Sequence, residues 1–360
     1  MTGLLRTLPF AFVAAALLVP PAPAAACNIP VFRYAVDHWP SDPYRFTVYH
    51  RGPLESVHAN VLRSLDRFAH AAAPTIAIEL VDLTKSPQGA KGVALPPADA
   101  ELPWLTVRYP AATRIGDPVW AGPLDAGAVS ALLDSAARRE LARRIRGGDS
   151  AVWVLLASGD AAKDDAVEKK LKAELQRLEK ELKLPERTAA PEDQPLDEAA
   201  RPVRLVFSAL RVGRSDPAEQ MLVRMLLNTE DDLTGRTEPM VFPVFGRGRA
   251  MPALVGAGIT TENLGEAAGF LAGPCTCQVK RDNPGVDMLM TADWSALKPA
   301  EVFRAKEGTL VPIPRGPDPA PASGMESAAS PWPRYLLFGG IGAAGLLVVV
   351  TGARAFRARR

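Results

Sequence analysis

A repeated order of apolar segments is the feature of this 360-residue chain that most limits its fold. Short apolar runs typical of strands alternate with stretches of helical spacing, and the series occurs twice. The first series contains predicted strands at 46–49, 75–83, 104–107 and 119–121 and helices at 57–69 and 126–145. The second contains predicted strands at 151–156, 203–212, 240–245 and 253–255 and helices at 164–184, 217–227 and 262–271. The pattern predicts an α/β protein whose two similar halves meet near Gly147 and Gly148.

The element order of each half resembles the thioredoxin fold. Pro103 and Pro239 open the third strand of each half, where that family carries a cis-proline. The resemblance covers most of residues 46–271 and implies two tandem thioredoxin-like domains. We place the first at 27–148 and the second at 149–306, with the second ending in an extension that carries Cys275 and Cys277. A single larger α/β domain is the alternative.

The sequence departs from that family at the position that carries its chemistry. Thioredoxin-like enzymes have a Cys-x-x-Cys motif where the first strand meets the first helix, because the helix N-terminus lowers the pKa of a thiol. The corresponding positions here are His50-Arg51-Gly52-Pro53 and Ser158-Gly159-Asp160-Ala161. Neither contains sulfur, so we expect the usual redox catalysis to be absent from both halves.

The N-terminus predicts export. Arg6 precedes an apolar run at 8–19, and three alanines at 24–26 precede Cys27. A charged start, a short apolar core and small residues at the cleavage zone are typical of a secretory signal peptide, here residues 1–26. Cleavage before Cys27 also suits a lipoprotein signal, although Ala24 stands where that signal usually has leucine.

The C-terminus predicts a membrane anchor. Residues 334–353 contain no charged side chain except Arg334 at their start and are long enough to cross a bilayer. A basic cytoplasmic tail, 354–360, follows with four arginines, and such residues favour the cytoplasmic side. A proline-rich stretch at 307–333 is predicted to be an extended stalk. We therefore expect a single-pass protein of the bacterial cell envelope whose N-terminal part is periplasmic and whose C-terminus is cytoplasmic.

Three cysteines, Cys27, Cys275 and Cys277, lie outside the repeated segments. In an oxidising compartment, free thiols are uncommon, and three arrangements remain open. In the first, Cys27 bonds to one of the other two and staples the N-terminal segment to the end of the second half. Alternatively, Cys275 and Cys277 form a strained, reducible bond for which Cys27 is the exchange partner. In the third arrangement all three thiolates bind Cu(I), which favours sulfur ligands.

Other features of the sequence disfavour particular classes of function. The net charge of +2 disfavours nucleic-acid binding. No Walker loop, paired catalytic carboxylate or ligand-spaced histidine pair occurs in the sequence, and no cofactor is predicted. The segments 27–34 and 278–293, which flank the repeated cores, resemble an uncharacterised group of exported bacterial proteins. A run of arginines on the helix that ends the first half is predicted to be a solvated face: Arg138, Arg139, Arg143, Arg144 and Arg146.

These observations favour a non-catalytic binding or scaffold protein whose partner is another envelope or membrane protein. A membrane-tethered thiol–disulfide exchange protein is the first alternative, with Cys275 and Cys277 as catalytic residues and Cys27 as the resolving or structural one. A Cu(I)-handling protein that uses the same three sulfurs is the second. The sequence gives no indication of the oligomeric state.

Overall fold

The computed structural model describes residues 29–71, 75–113, 115–185, 203–275 and 279–294. The described residues form the α/β fold that the sequence predicts, with two sheets. The predicted signal peptide, stalk, membrane anchor and tail all lie outside the described residues. Within the described ranges, no helix has both the length and the apolar character needed to cross a membrane.

The first sheet follows one short helix, α1 (Val31–His38), and has the strand order β2-β1-β3-β4. Strands β1 and β2 are parallel, whereas β3 is antiparallel to β1 and β4 is antiparallel to β3. The bounds are β1 (Tyr44–His50), α2 (Ser56–Ala71), β2 (Ile76–Asp82), β3 (Trp104–Arg108), β4 (Pro118–Pro123), α3 (Ala126–Leu133) and α4 (Ala136–Gly147).

The second sheet repeats this arrangement. Its order is β10-β8-β7-β5-β6, with β9 paired to β7; β5 and β6 are parallel, and β7 is antiparallel to β5. The bounds are β5 (Ala151–Leu156), α5 (Ala161–Glu181), β6 (Phe207–Val212), α6 (Gln220–Leu227), β7 (Met240–Phe245), β8 (Arg249–Ala250), β9 (Leu254–Val255), α7 (Thr261–Ala272) and β10 (Val286–Asp287).

The second sheet has apolar side chains on both faces. In β5, Val152, Val154 and Leu156 face a core that also contains side chains of the first sheet. The alternate residues, such as Trp153 and Leu155, face a second core formed with helices α5, α7 and α1. Alternation along a strand sends successive side chains to opposite faces, so a strand that is apolar throughout must be covered twice.

The helix predicted at 126–145 is two helices, α3 and α4, which corrects the sequence prediction. Asp134 has extended backbone dihedrals and ends α3. Ser135 then caps α4, with its hydroxyl accepting a hydrogen bond from Arg138 N at 3.3 Å. Serine is favoured at this position because its side chain satisfies a backbone N–H that the first helical turn leaves unpaired.

In the sequence, Asp216, Pro217 and Glu219 predict a capping box at the start of α6, and the structure bears this out only in part. Asp216 does cap the turn at Pro217–Glu219, accepting from Ala218 N at 2.9 Å. Glu219 does not bond back to its own cap, and that part of the prediction was wrong. Its carboxylate instead accepts a hydrogen bond from Ala137 N at 2.7 Å, at the start of α4. The buried Glu219 thus joins the two halves.

Candidate functional site

Cys275, the one described cysteine of the candidate site, directly follows α7 and lies beside the start of the described chain. It is buried, and its backbone N–H donates to Ile29 O at 2.8 Å. Pro30 and Pro274 form an antiparallel bridge, and Val31 N donates to Gly273 O at 3.0 Å. The structure therefore brings the residues that follow Cys27 alongside Cys275. Cys27 and Cys277 themselves lie outside the described residues.

Helix α1 holds this arrangement in place. Phe32, Ala35 and Trp39 are buried in the core between α1 and the second sheet, and the Trp39 ring meets Phe245 edge-on at 6.3 Å. Arg247 extends from the turn after β7 and donates to Val36 O at 2.8 Å. That contact satisfies a carbonyl at the helix C-terminus, where intrahelical partners run out.

The turn after β7 is shaped for this packing. Gly246 has φ +60°, and a Cβ at this position would be 2.9 Å from the Cβ of Ala35. Any larger residue would force α1 away from the sheet. The Gly246-Arg247-Gly248 sequence, which only weakly resembles part of a nucleotide-binding motif, instead positions α1 on the second sheet.

Polar contacts fix the first strand–helix junction, between β1 and α2. His50 Nδ1 donates to Gly52 O at 2.8 Å, and Gly52 N donates to Asp82 Oδ1 at 3.2 Å. The Asp82 carboxylate also accepts from the side chain and backbone of Thr84 at 2.7 and 3.0 Å. These bonds from Thr84, followed by that from Gly52, lower the pKa of Asp82 to about 2.

A buried carboxylate fixes the second junction, between β5 and α5. Asp164 is almost fully buried and accepts from Ser158 N and Oγ, each at 2.8 Å, and from Gly159 N at 3.1 Å. Arg211 lies 3.5 Å away and provides an opposite charge. Both junctions therefore use an aspartate to hold the loop, and the donors that face Asp164 are already engaged within the chain.

Pro103 and Pro239 were both candidates for a cis-proline, and for Pro239 that expectation was wrong. The Leu102–Pro103 peptide bond is cis, whereas the bond that precedes Pro239 is not. Their carbonyl groups have equivalent partners, since Pro103 O accepts from Leu124 N and Pro239 O from Gly256 N, both at 2.9 Å.

No cluster of three or more metal-ligating side chains occurs in the described part of the chain. The proposed copper ligands are not covered by that finding, because two of the three sulfurs, Cys27 and Cys277, lie outside it.

One buried charge, on helix α4, was missed by the sequence analysis. Arg138, predicted to lie on a solvated face, is 3% exposed and donates to Leu132 O at 2.8 Å and Leu289 O at 3.3 Å. Burial lowers the pKa of its guanidinium to about 10. The spacing contained a signal, since Arg138 precedes the buried Leu141 and Ile145 by three and seven residues and so shares their helix face.

No protein-family model, curated protein or solved structure matches this chain. The functional assignment therefore depends on the geometry of the junctions and of the cysteine segment.

Proposed function

We propose that this protein is a membrane-anchored, outward-facing binding or scaffold protein of the bacterial envelope, built on two redox-inactive thioredoxin-like domains. The observation that carries the proposal is the absence of sulfur at both strand–helix junctions. The carboxylates of Asp82 and Asp164 accept hydrogen bonds from the backbone N–H groups of Gly52, Ser158 and Gly159 at those junctions. The junctions therefore contain no thiol pair, and we assign them a structural role.

The strand arrangement supports the thioredoxin-like part of the proposal. Both sheets place their first strand between a parallel second strand and an antiparallel third strand. Both also follow the first strand with a helix, α2 or α5. The same minimal topology in each half fits a tandem repeat of one fold better than a single irregular domain.

A thiol–disulfide exchange assay tests the claim of redox inactivity. The full chain in detergent is incubated with a disulfide-bonded protein substrate and dithiothreitol, beside a variant with Cys275→Ser and Cys277→Ser. We expect both proteins to match the rate of the reductant alone. A rate above that background that is lost in the double variant contradicts the scaffold proposal and favours the exchange alternative.

The proposed anchor and orientation have a separate test. The full chain is expected to resist alkaline extraction from membranes, and a chain that lacks 334–353 is expected to be released. Protease added to intact spheroplasts should cleave the body but spare a tag placed after Arg360. Extraction of both chains, or protection of the body, contradicts the proposed topology.

We further propose that Cys27 is bonded to Cys275 or Cys277. Ile29, which accepts the backbone hydrogen bond of Cys275, is only two residues from Cys27. Two residues span at most about 7 Å, and a disulfide joins Cα atoms about 4.4–6.8 Å apart. The bond closes a loop of more than 200 residues, for which the chain-entropy model gives about 5.5 kcal/mol of stabilisation.

Thiol mapping by mass spectrometry on protein never exposed to reductant distinguishes the three arrangements. A complete bond from Cys27 that withstands mild reductant supports the structural staple. A Cys275–Cys277 bond that titrates at a mild potential favours exchange chemistry. Three free thiols that bind Cu(I) tightly, with binding lost in Cys277→Ser, favour the copper-handling alternative. A lipid on Cys27 excludes all three uses of that sulfur.

A further inference from the structure

A buried ion cluster lies where the C-terminal segment crosses the molecule. Arg249 of β8 contacts Asp287 of β10 at 3.0 Å, and both side chains are less than a tenth exposed. Lys280 forms a second ion pair with Asp287 and a third with Asp42, the latter at 3.0 Å. Asp42 N also donates to Asp287 Oδ2 at 2.8 Å. Asp287 therefore connects the second sheet to the residues that lead into β1.

The backbone around the cluster is bound to the same side chains. The Arg249 guanidinium donates to Asn283 O at 2.8 Å and Pro284 O at 2.9 Å. Tyr44, the first residue of β1, donates its hydroxyl to Asp287 O at 2.9 Å. Gly285 has φ +107°, and a Cβ there would be 2.5 Å from Ala250 O. The close approach of this segment to β8 thus requires glycine.

The same segment continues onto the helices of the first half. Leu289 O accepts from the buried Arg138, and Thr291 Oγ1 donates to Leu133 O at 3.0 Å. Leu289, Met290 and Trp294 are buried in the core that both sheets share. We name residues 279–294 the strap, since they begin beside the second sheet and end against the first half.

The N-terminal segment crosses in the opposite direction. Helix α1 precedes β1 in the chain but packs on the second sheet, and Arg247 bonds to its end. Helix α1 is joined in the chain to the first half but packs on the second. The strap is joined to the second half but ends against the first. The two halves also contact each other directly. For example, the Tyr109 hydroxyl of the first half donates a hydrogen bond to Arg224 O of the second at 3.1 Å.

We propose that the strap locks the two halves into one cooperative unit, and that the ion pairs of Asp287 hold the strap closed. Opening the strap breaks a buried ion pair and leaves the remaining charges without partners, which is costly in a low-dielectric interior. Separation of the halves also uncovers their shared core. The halves consequently unfold together and do not move as two bodies on a linker.

Hydrogen exchange of the full chain tests this, with mass-spectrometric readout of β1 and β5. In the native protein, we expect amides of both strands to exchange with the same opening equilibrium. In Asp287→Ala, both should exchange about 100-fold faster, by the same factor. The matched control is Asp282→Ala, which removes a carboxylate from the same strap whose ion pair with Arg281 is exposed. The Asp282→Ala variant should leave the exchange rates of both strands unchanged.

Three results overturn the proposal. The first is faster exchange in β10 alone with β1 and β5 unchanged, and the second is faster exchange in only one of the two sheets. The third is two separate unfolding transitions in urea for the native protein. If Asp287→Ala does not fold, Asp287→Asn keeps the size of the side chain and removes the charge. That variant should show the same equal change in both strands at a smaller factor, and an unequal change contradicts the proposal.

Discussion

The two sheets share a strand order but differ in how well they are covered. Every residue of β5 and β7 is buried, and the edge strand β6 exposes only Arg211. The equivalent edge strand of the first sheet, β2, exposes Ala77, Glu79 and Leu80. The second sheet is covered by helices on one face and by the first half on the other, and α1 completes its cover. The comparison teaches that one topology can serve as a structural centre in one half and leave accessible surface in the other.

Loss of a core side chain should separate the two sheets most clearly. Trp153 of β5 is fully buried, and Trp153→Ala is expected to lower the free energy of unfolding by about 3–5 kcal/mol. Leu80→Ala in β2 is the control, because Leu80 is 52% exposed and should cost less than about 0.5 kcal/mol. Urea denaturation followed by circular dichroism measures both. Equal losses in the free energy of unfolding for the two variants show that the difference in burial does not affect stability.

The two junction aspartates provide the next comparison. Asp164→Ala leaves the Ser158 and Gly159 N–H groups without their buried acceptor, and we expect a loss of about 3 kcal/mol. Asp82→Ala, at the more exposed equivalent junction, should cost distinctly less, since water can replace its bonds. Thermal unfolding of the two variants side by side tests the ranking. A larger loss for Asp82→Ala reverses it.

A half-buried glutamate beside the second sheet should cost stability when it is ionised. Burial raises the pKa of Glu230, although its carboxylate accepts a hydrogen bond from Ala253 N at 2.8 Å. A carboxyl with a raised folded pKa loses stability as the pH rises from about 4.5 through that pKa, because the unfolded chain releases the proton first. Glu230→Gln keeps an acceptor oxygen and should raise stability at pH 7 by less than about 1 kcal/mol.

The gain from Glu230→Gln should shrink at pH 4, where the native carboxyl is already protonated. Urea midpoints at pH 4 and 7 provide the measurement, with the exposed Glu238→Gln as control. A gain of the same size at both pH values contradicts a role for ionisation.

The smallest expected effect concerns the pH dependence of the first junction. The pKa of Asp82 is lowered to about 2 by its bonds to Thr84 and Gly52, so its contribution is complete above about pH 4. That contribution is lost as the pH falls through 2, because the native state must then accept the proton. Asp82→Asn should flatten this part of the stability profile, whereas Asp117→Asn, exposed in the same half, should not. Identical profiles of stability against pH for the two variants contradict the lowered pKa of Asp82.

Much of the local structure could be predicted from the sequence because it depends on local rules. The apolar run of β5 and the Asp216 cap are fixed by neighbouring residues, and both occur as predicted. The break at Ser135 was missed because the apolar spacing continues across it, and spacing alone does not register a cap inside a helical pattern.

The long-range features could not be predicted. Glu219 follows a capping pattern but bonds to Ala137, 82 residues away. Asp287 is one of many carboxylates in the sequence, and only the fold brings Arg249 and Lys280 to it. The closeness of Ile29 and Cys275 likewise arises from the docking of α1 on the second sheet. In each case the partner is distant in sequence, and no local pattern encodes it.

The sequence by itself determined the α/β class, the doubled order of strands and helices, and the lack of sulfur at both junctions. These properties depend on residue type and on spacing within a few residues. Only the tertiary structure decided that α1 and the strap cross between the halves, that Arg138 is buried, and that Asp287 pairs with Arg249. The reason is that burial and ion pairing depend on which distant surfaces meet, and those surfaces exist only once both sheets have formed.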